Sequence, residues 1–331
     1  MTQDLRQGSG PSSVSGVGRK SVNSAMTGEQ LGSDAPALST NRRIRCDICG
    51  AAAATLCHDS RAAKVYACRV CTGLFSRLAS GQENFDAYDQ QYFKVYRDRR
   101  DAQIEVSRNI LTLLQKVEPD GSLLDYGCGT GVFLRLAGEF GYSENCGADT
   151  SEAALSGAAS ELGVVKDVEL VNLRTGQLPL RRFNVITFLD SIAHIQNLDA
   201  VMTTLLNHHL APGGKILIRT PRINMLYRIY ARLAAAFLPS AFADSLYYIP
   251  NRLILFNETA LRVFFKRYGL EVMALHRNSD YRSTSQVASL KRALRSSFKH
   301  TLRSLLVNRL PSLLNPNNSM LAIVKSVGPS V

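Results

Sequence analysis

A run of glycines that follows an acid has the composition of a ligand-binding turn. Asp125 ends a short apolar stretch, and Gly127, Gly129 and Gly131 follow it at alternate positions. Glycine is needed where the backbone takes positive φ or must let a ligand approach without a Cβ in between. A helix that begins after such a turn presents unpaired N–H groups to it. The stretch therefore predicts a strand, a glycine turn and a helix that bind a nucleotide or a nucleotide-like cofactor.

The spacing of the glycines narrows the choice of cofactor. A dinucleotide turn reads G-x-G-x-x-G and a P-loop ends in Gly-Lys-Ser/Thr, whereas this chain has G-x-G-x-G followed by Val132. Asp125 would repel a pyrophosphate, but it would attract a ligand that carries an ammonium group. S-adenosylmethionine fits this pattern, since it carries a sulfonium, an ammonium and no phosphate.

Several landmarks resemble those of class I S-adenosylmethionine-dependent methyltransferases, in the family's order. Beyond the glycine turn, the matching stretches are residues 146–151, 183–190 and 210–218. The resemblance implies an α/β fold with a doubly wound, Rossmann-like, seven-stranded sheet. It also implies that Asp149, which lies 24 residues after Asp125, accepts hydrogen bonds from the two ribose hydroxyls.

The same resemblance implies a set of cofactor-binding residues near the ends of successive strands. These are Asp125, Gly127, Cys128, Gly129, Gly131, Asp149, Thr150, Asn172, Leu173 and Leu189. Asn172 and Leu173 stand where the adenine would lie. An ordinary tight turn is the alternative for the glycines, a small buried thiol for Cys128, and a helix cap at Thr150 or Ser151.

The acceptor side of the site has fewer candidates. Methyl transfer to a hydroxyl needs a base near neutral pH, and His194 is the candidate for that role. Asp190, four residues earlier, could contact the methionine end of the cofactor or the acceptor. The alternative for His194 is a packed or surface histidine without chemistry. The resembling enzymes often have Glu-His where this chain has Ala193-His194, so the substrate-side chemistry departs from their pattern.

Four cysteines near the N-terminus have the spacing of a structural metal site. Cys46, Cys49, Cys68 and Cys71 form the pattern C-x2-C-x18-C-x2-C, which predicts tetrahedral coordination of zinc by four thiolates. Two disulfides are the alternative, but they are rare in intracellular enzymes. A group of bacterial class I methyltransferases resembles this chain in carrying such a four-Cys ribbon directly before the catalytic domain.

These patterns predict the organisation of the chain. Residues 1–40 are rich in Ser and Gly and are expected to be a disordered tail. The zinc ribbon is expected at 44–76, a linker with N-terminal helices at 77–118, and the methyltransferase domain at 119–331. Within that domain we expect a helical lid insert at 222–250 and a basic amphipathic helix at 286–310.

The formal net charge of +12 at pH 7 is concentrated in two regions. Residues 281–331 contain eight Lys or Arg and no acid, which gives +8, and residues 219–257 contain five Arg and one acid, which gives +4. A basic amphipathic helix can lie on an anionic membrane surface or contact phosphates. The alternative is a helix packed on the core with a solvated basic face.

The resemblance implies a methyltransferase for a small-molecule, saccharide-linked or lipid-linked acceptor, acting at oxygen or carbon. A ribosomal RNA methyltransferase and a non-catalytic scaffold are the alternatives. Nucleic acid is the less favoured partner, because the Asn/Asp-Pro-Pro-aromatic tetrad of amino-base methylation is replaced by residues 190–193. No run of 18 apolar residues and no signal segment are present, so a cytoplasmic protein is expected, peripheral at the membrane if the basic helix binds there.

Overall fold

The computed structural model describes residues 44–79, 100–163, 168–249, 251–277 and 319–326. All of them belong to the compact unit Arg43–Val331. Two predicted segments, the tail at 1–40 and the basic helix at 286–310, lie outside the described residues. Within the described ranges, no helix combines the length and apolar character that crossing a bilayer requires.

The described strands form two sheets. They are β1 Ala54–Asp59, β2 Ala63–Cys68, β3 Leu74–Leu78, β4 Gly121–Tyr126, β5 Tyr142–Asp149, β6 Val168–Asn172, β7 Phe183–Leu189, β8 Leu210–Pro221, β9 Ile254–Leu255, β10 Leu270–Arg277 and β11 Ser319–Ser326. The large sheet has seven strands in the order β10-β11-β8-β7-β4-β5-β6. Strands β4 to β8 are parallel, and β11 runs antiparallel to both of its neighbours. This architecture confirms the predicted seven-stranded class I methyltransferase sheet.

Helices cover the large sheet on both faces. The described α-helices are α1 Arg100–Leu114, α2 Val132–Glu139, α3 Glu152–Leu162, α4 Leu198–Thr204, α5 Met225–Phe237, α6 Ser240–Tyr247 and α7 Glu258–Lys266. Successive strand residues point to opposite faces. Accordingly Leu123 packs in the core with α1 and α2, whereas its neighbour Leu124 packs in the core with α4 and α7. Burial on both faces explains why these strands read as nearly continuous apolar runs.

The cysteine-containing segment forms a small sheet of its own, in the order β1-β2-β3-β9. Strand β9 comes from a distant part of the chain and pairs with β3 through Leu74 with Leu255 and Phe75 with Ile254. Helices α5 and α6, which lie in the predicted lid insert, share a hydrophobic cluster with this small sheet through residues such as Val65. The ribbon and the lid insert are therefore packed together rather than joined only through the linker.

Candidate functional site

The glycine turn between β4 and α2 adopts a backbone that other residues could not easily take. Gly127 and Gly131 have φ of 88° and 77°. A Cβ on Gly127 would lie 2.3 Å from the Cβ of Ser191, and a Cβ on Gly131 would lie 3.0 Å from the backbone of Ala158. The first glycine thus allows the loop after β7 to approach the turn, and the third allows α2 to begin against α3.

Asp149 lies at the end of β5, directly beside the glycine turn. Its carboxylate accepts the N–H of Gly129 at 3.0 Å and the N–H of Ser151 at 2.9 Å. Burial raises the pKa of Asp149, and these N–H donors oppose that effect. In the register of β5 with β6, Asp149 is opposite Asn172, and the N–H of Leu173 donates to the Asp149 carbonyl at 2.9 Å. The structure therefore brings four predicted cofactor residues together.

Asp125 is held in a different way from Asp149. Its side chain is buried, with 2% of the residue exposed, and it accepts the hydroxyl of Thr187 at 2.6 Å. Burial raises the pKa of Asp125 to about 7, with a further increase from the negative charge of Asp149 and an opposing effect of Arg219. The carboxyls of Asp125 and Asp149 are therefore close enough for their negative charges to repel each other. Both residues lie next to the same glycine turn.

The remaining predicted cofactor residues surround this pair. Cys128 is 7% exposed, and burial raises its pKa well above the ordinary value, so the thiol stays neutral. Thr150 follows Asp149 and is half-buried, while Ser151 caps α3 by accepting the N–H of Ala154 at 3.3 Å. Leu189 ends β7 and is also half-buried.

The donor set of this edge fits S-adenosylmethionine. A carboxylate with two oxygens at the end of β5 suits a vicinal diol. The amide of Asn172 and the backbone after it offer polar groups for an adenine. The buried carboxyl of Asp125 has a raised pKa, so a nearby ligand cation would favour its ionised form. Asp149, Asn172 and Asp125 would therefore hold the ribose, the adenine and the ammonium region of the cofactor.

An ion pair lies at the ends of β7 and β8. Asp190 takes a left-handed backbone conformation with φ of 63°, which is unusual for a residue other than glycine. Its N–H donates to the Arg219 carbonyl at 2.7 Å, and its carboxylate accepts Nε of Arg219 at 2.9 Å and a second N–H of the same guanidinium. Arg219 was not predicted as a site residue. The available signal in the sequence was a cation directly after the apolar run 216–218, where a strand ends.

His194 ends a short 3₁₀ turn that begins at Ile192. Its Nδ1 bonds the Asn251 carbonyl, and because a carbonyl only accepts, Nδ1 carries the proton and Nε2 carries the basic lone pair. Burial lowers the pKa of His194, with opposing effects from the Asn251 contact and the charge of Asp190 and a further lowering by Arg252. The imidazole is therefore held neutral near pH 7.

The four cysteines of the predicted ribbon meet at one point. Their sulfurs all lie within 4.8 Å of one another. The Sγ atoms of Cys46 and Cys71 are 3.7 Å apart, and those of Cys49 and Cys68 are 3.6 Å apart. A tetrahedron with Zn–S bonds of about 2.3 Å has edges of roughly 3.8 Å, whereas a disulfide bond measures about 2.05 Å. The observed separations fit the metal geometry and exclude the disulfide pairing in this structure.

Comparison with known proteins agrees with this geometry. The family described as methyltransferase domain matches residues 96–275, which is more than half of the chain. The chain belongs to this methyltransferase family. The fold and the family together make it a class I enzyme that depends on S-adenosylmethionine, with a four-Cys cluster consistent with a zinc ribbon.

Individual relatives are distant from this methyltransferase. A ribosomal protein L11 methyltransferase of Paraburkholderia phytofirmans is 30% identical over 105 residues, which cover 31% of this chain and 33% of that protein. The chain thus matches about a third of the length of that curated relative. A similar solved structure is the complex of the Haloferax volcanii Trm112 methyltransferase activator with a candidate methyltransferase. The identity is 14% and the TM-score is 0.51, and the match covers 75% of this chain and 99% of that chain.

Another similar solved structure contains a product of the cofactor. It is a methyltransferase from Thiobacillus denitrificans in complex with S-adenosyl-L-homocysteine, at 19% identity and a TM-score of 0.42, with 66% of this chain and 89% of that chain covered. At 14% identity, the Haloferax volcanii structure supports the fold alone.

Proposed function

We propose that this methyltransferase methylates an oxygen or carbon atom of a small-molecule, saccharide-linked or lipid-linked acceptor. One observation supports the placing of the reaction at this edge of the sheet: Arg219 connects the predicted cofactor carboxyl Asp125 with Asp190, in the loop that carries the candidate base. Its guanidinium binds Asp190, and its charge lowers the pKa of Asp125. Asp190 in turn acts on His194, so the candidate base belongs to the same electrostatic group as the cofactor residues.

Methyl transfer requires the protein mainly to position the methyl donor and the acceptor. When bound, S-adenosylmethionine supplies a methyl group that its sulfonium has already activated. The protein residues then hold the acceptor in line with that methyl group and keep water away, which is a large part of the rate acceleration. Asp149 and the glycine turn are proposed to hold the cofactor, and the helices α5 and α6 of the predicted lid insert are proposed to cover the acceptor.

His194 is proposed to remove a proton from the acceptor as its oxygen or carbon attacks the methyl group. Its Nε2 carries the lone pair, and its lowered pKa keeps the imidazole in the basic form near neutral pH. Asp190 and Arg219 are proposed to position the loop that carries His194. The left-handed backbone of Asp190 costs conformational energy that the two contacts with Arg219 offset.

The four-Cys cluster is proposed to hold one structural zinc ion. The donor set fits, because Cys46 Sγ accepts the N–H of Ile48 at 3.4 Å and Cys68 Sγ accepts the N–H of Val70 at 3.3 Å. Such N–H donors stabilise sulfur that carries negative charge, as a zinc-bound thiolate does. Zinc would connect the two turns of a segment that is too small for a core of its own.

The test supplies cofactor with a labelled methyl group and fractionated cell extract to the full chain. Label in a lipid, glycan or small-molecule fraction supports the proposal. Label in RNA would favour the ribosomal RNA alternative, and label in protein would favour an activity like that of the L11 methyltransferase. Absence of both label and S-adenosylhomocysteine binding would favour a scaffold.

Matched variants separate binding from chemistry in this assay. His194→Gln is expected to reduce incorporation by about 100-fold or more while S-adenosylhomocysteine still binds. His208→Gln changes an exposed histidine in the same way and is expected to leave incorporation unchanged. Equal activity of the two variants would contradict the role of His194.

A further inference from the structure

We infer that the acceptor side of the site contains an anion-binding subsite at Arg252, and that the acceptor therefore carries a phosphate or carboxylate group. The inference rests on the proposed function and specifies its substrate class. Arg252 lies in the turn that follows α6, beside His194 and the tyrosines Tyr227 and Tyr248. Neither sequence motif nor family resemblance assigned a role to this arginine.

The structure holds the Arg252 guanidinium in place without neutralising it. Its Cζ lies 4.1 Å from the ring centroid of Tyr248, which is the separation of a cation–π contact. The N–H of Arg252 donates to the Tyr248 carbonyl at 3.0 Å, and Tyr248 has a left-handed backbone with φ of 59° and ψ of 32°. Backbone and ring together fix the direction of the side chain.

The subsite is adjacent to the candidate base. Asn251, the residue before Arg252, supplies the carbonyl that Nδ1 of His194 contacts, and the N–H of Leu253 donates to the Ala193 carbonyl at 2.7 Å. The charge of Arg252 acts on the titration of both His194 and Tyr227. An anionic group bound at Arg252 would therefore leave the rest of the acceptor next to Nε2 of His194.

Two arginines of the same region, Arg219 and Arg222, differ from Arg252 in having carboxylate partners. Arg219 binds Asp190, and Nε of Arg222 lies 3.3 Å from a carboxylate oxygen of Glu258. In the part of the chain that the structure describes, no carboxylate lies within 4.0 Å of the Arg252 side chain and no acceptor bonds its guanidinium. A guanidinium has five N–H donors in a planar fork that matches phosphate and carboxylate groups.

The surrounding charge also favours an anion. Residues 219–257 contain five Arg and one acid, which gives a formal charge of +4, and the ion pairs of Arg219 and Arg222 with Asp190 and Glu258, which lie outside this range, leave a surplus of +2. The acid within the range, Asp244, is bound to His58 at 2.7 Å on the ribbon side of α6. A surplus of positive charge attracts anionic substrates and repels cationic ones.

Calorimetry of the full chain, loaded with S-adenosylhomocysteine, tests the subsite with pyrophosphate and with acetate as probes. We expect an anion to bind and Arg252→Met to weaken it by about 10-fold to 100-fold, as for a lost charge-assisted contact. Arg61→Met removes the same charge from the exposed β1–β2 turn and is expected to have no effect. Failure of both probes to bind, or equal weakening by the two variants, would overturn the subsite.

The product of the labelling assay gives a second readout that needs no variant. Labelled product should be retained on an anion-exchange column at neutral pH. Loss of retention after phosphatase treatment would assign a phosphate, and unchanged retention would assign a carboxylate. A neutral or cationic product would overturn the inference while leaving the methyltransferase proposal intact. Failure of S-adenosylhomocysteine to bind the wild-type chain would instead contradict the proposed function itself.

Discussion

At the scale of single residues, two carboxyls near the glycine turn differ in their access to solvent and ligand. Asp149 is half-buried and accepts backbone N–H groups, whereas Asp125 is almost fully buried and accepts a threonine hydroxyl. Burial therefore disfavours the ionised form of Asp125 when no ligand is bound, which is an electrostatic cost. A bound ammonium would offset that cost, because an opposite charge favours the ionised carboxyl.

This difference predicts a pH dependence of cofactor binding. The pKa of Asp125 is raised to about 7, so the unliganded carboxyl ionises as the pH rises from 6 to 8. A ligand ammonium prefers the ionised form, and affinity for S-adenosylhomocysteine should therefore increase over this range, by up to roughly tenfold. In Asp125→Asn the affinity should be independent of pH in this range, as calorimetry at several pH values can measure.

Asp120→Asn is the matched control for that measurement, since Asp120 is an exposed acid just before the same strand. Its affinity should follow the wild-type pH profile. The same ionisation also affects the free energy of unfolding of the unliganded protein. A carboxyl whose folded pKa is raised contributes stability that is fully present below its ordinary pKa of 3.8 and is lost as the pH rises from there through about 7.

The proposed role of His194 as a base predicts that the reaction rate falls at acidic pH, which gives the pH profile an acidic limb. Burial lowers its pKa below the ordinary value, so the neutral base is lost only below about pH 6.5. At saturating S-adenosylmethionine, where the ionisation of Asp125 no longer limits cofactor binding, the pH profile of kcat/KM for the acceptor should fall at acidic pH in the wild type and lack this limb in His194→Gln. An unchanged limb in the variant would assign the titration to another group.

The sequence predicted some of these residues and not others, for physical reasons. Asp149 lies 24 residues after Asp125 within a stretch that resembles the second strand of the family, so the resemblance was enough to single it out. Arg219, Asn251 and Arg252 owe their positions to contacts between segments far apart in the chain. Such contacts leave no periodic signal, so the partners of these residues could be recognised only in the folded structure.

At the scale of elements, the ribbon shares one sheet with β9, the strand that follows the lid insert. Strand β9 has two residues, which is too short for an alternating pattern to reveal it, and its pairing with β3 was not predicted. The same turn region carries Arg252 and contacts the His194 loop. The cysteine cluster therefore supports, through β3 and β9, the segment that borders the acceptor side.

Zinc removal should consequently affect more than the ribbon. We expect one zinc per chain by elemental analysis, and chelation should lower the melting temperature because the ribbon loses its cross-link. Cys49→Ser should lose the metal, whereas Cys57→Ser should keep it, since Cys57 lies outside the four-sulfur cluster. Full zinc content in Cys49→Ser would contradict the proposed site.

A buried contact between ribbon and lid gives a second prediction at this scale. His58 is 6% exposed, stacks on Tyr247 at a centroid distance of 5.3 Å, and bonds Asp244 at 2.7 Å. Asp244→Ala leaves a buried polar ring without its partner and should reduce the free energy of unfolding by about 1–3 kcal/mol. Denaturation with urea would measure the change.

The control for this prediction is Asp59→Ala. Asp59 pairs with Lys64 at 3.1 Å, but both side chains are about half exposed, at 49% and 55%. Exposed ion pairs contribute little, so the loss should stay below about 1 kcal/mol. If both variants lost the same stability, the buried contact would have no special role.

At the scale of the whole molecule, the order of the strands was predictable because each landmark lies at the end of a strand. The turn at 127–131, the acid at 149 and the strands at 183–190 and 210–218 occur in the order that a parallel sheet with helical connections requires. The seven-stranded sheet confirms that reading. The predicted basic amphipathic helix at 286–310 lies outside the described residues, so its binding to an anionic membrane surface stays a prediction.

Titration of S-adenosylhomocysteine into the wild-type chain and into Asp149→Ala would test the binding of the cofactor ribose by Asp149. One ligand per wild-type chain is expected, and affinity should be lower by about 30-fold or more in the variant, because two hydrogen bonds to the ribose are lost. Equal affinity of the two proteins, or no binding to the wild type, would contradict this role of Asp149.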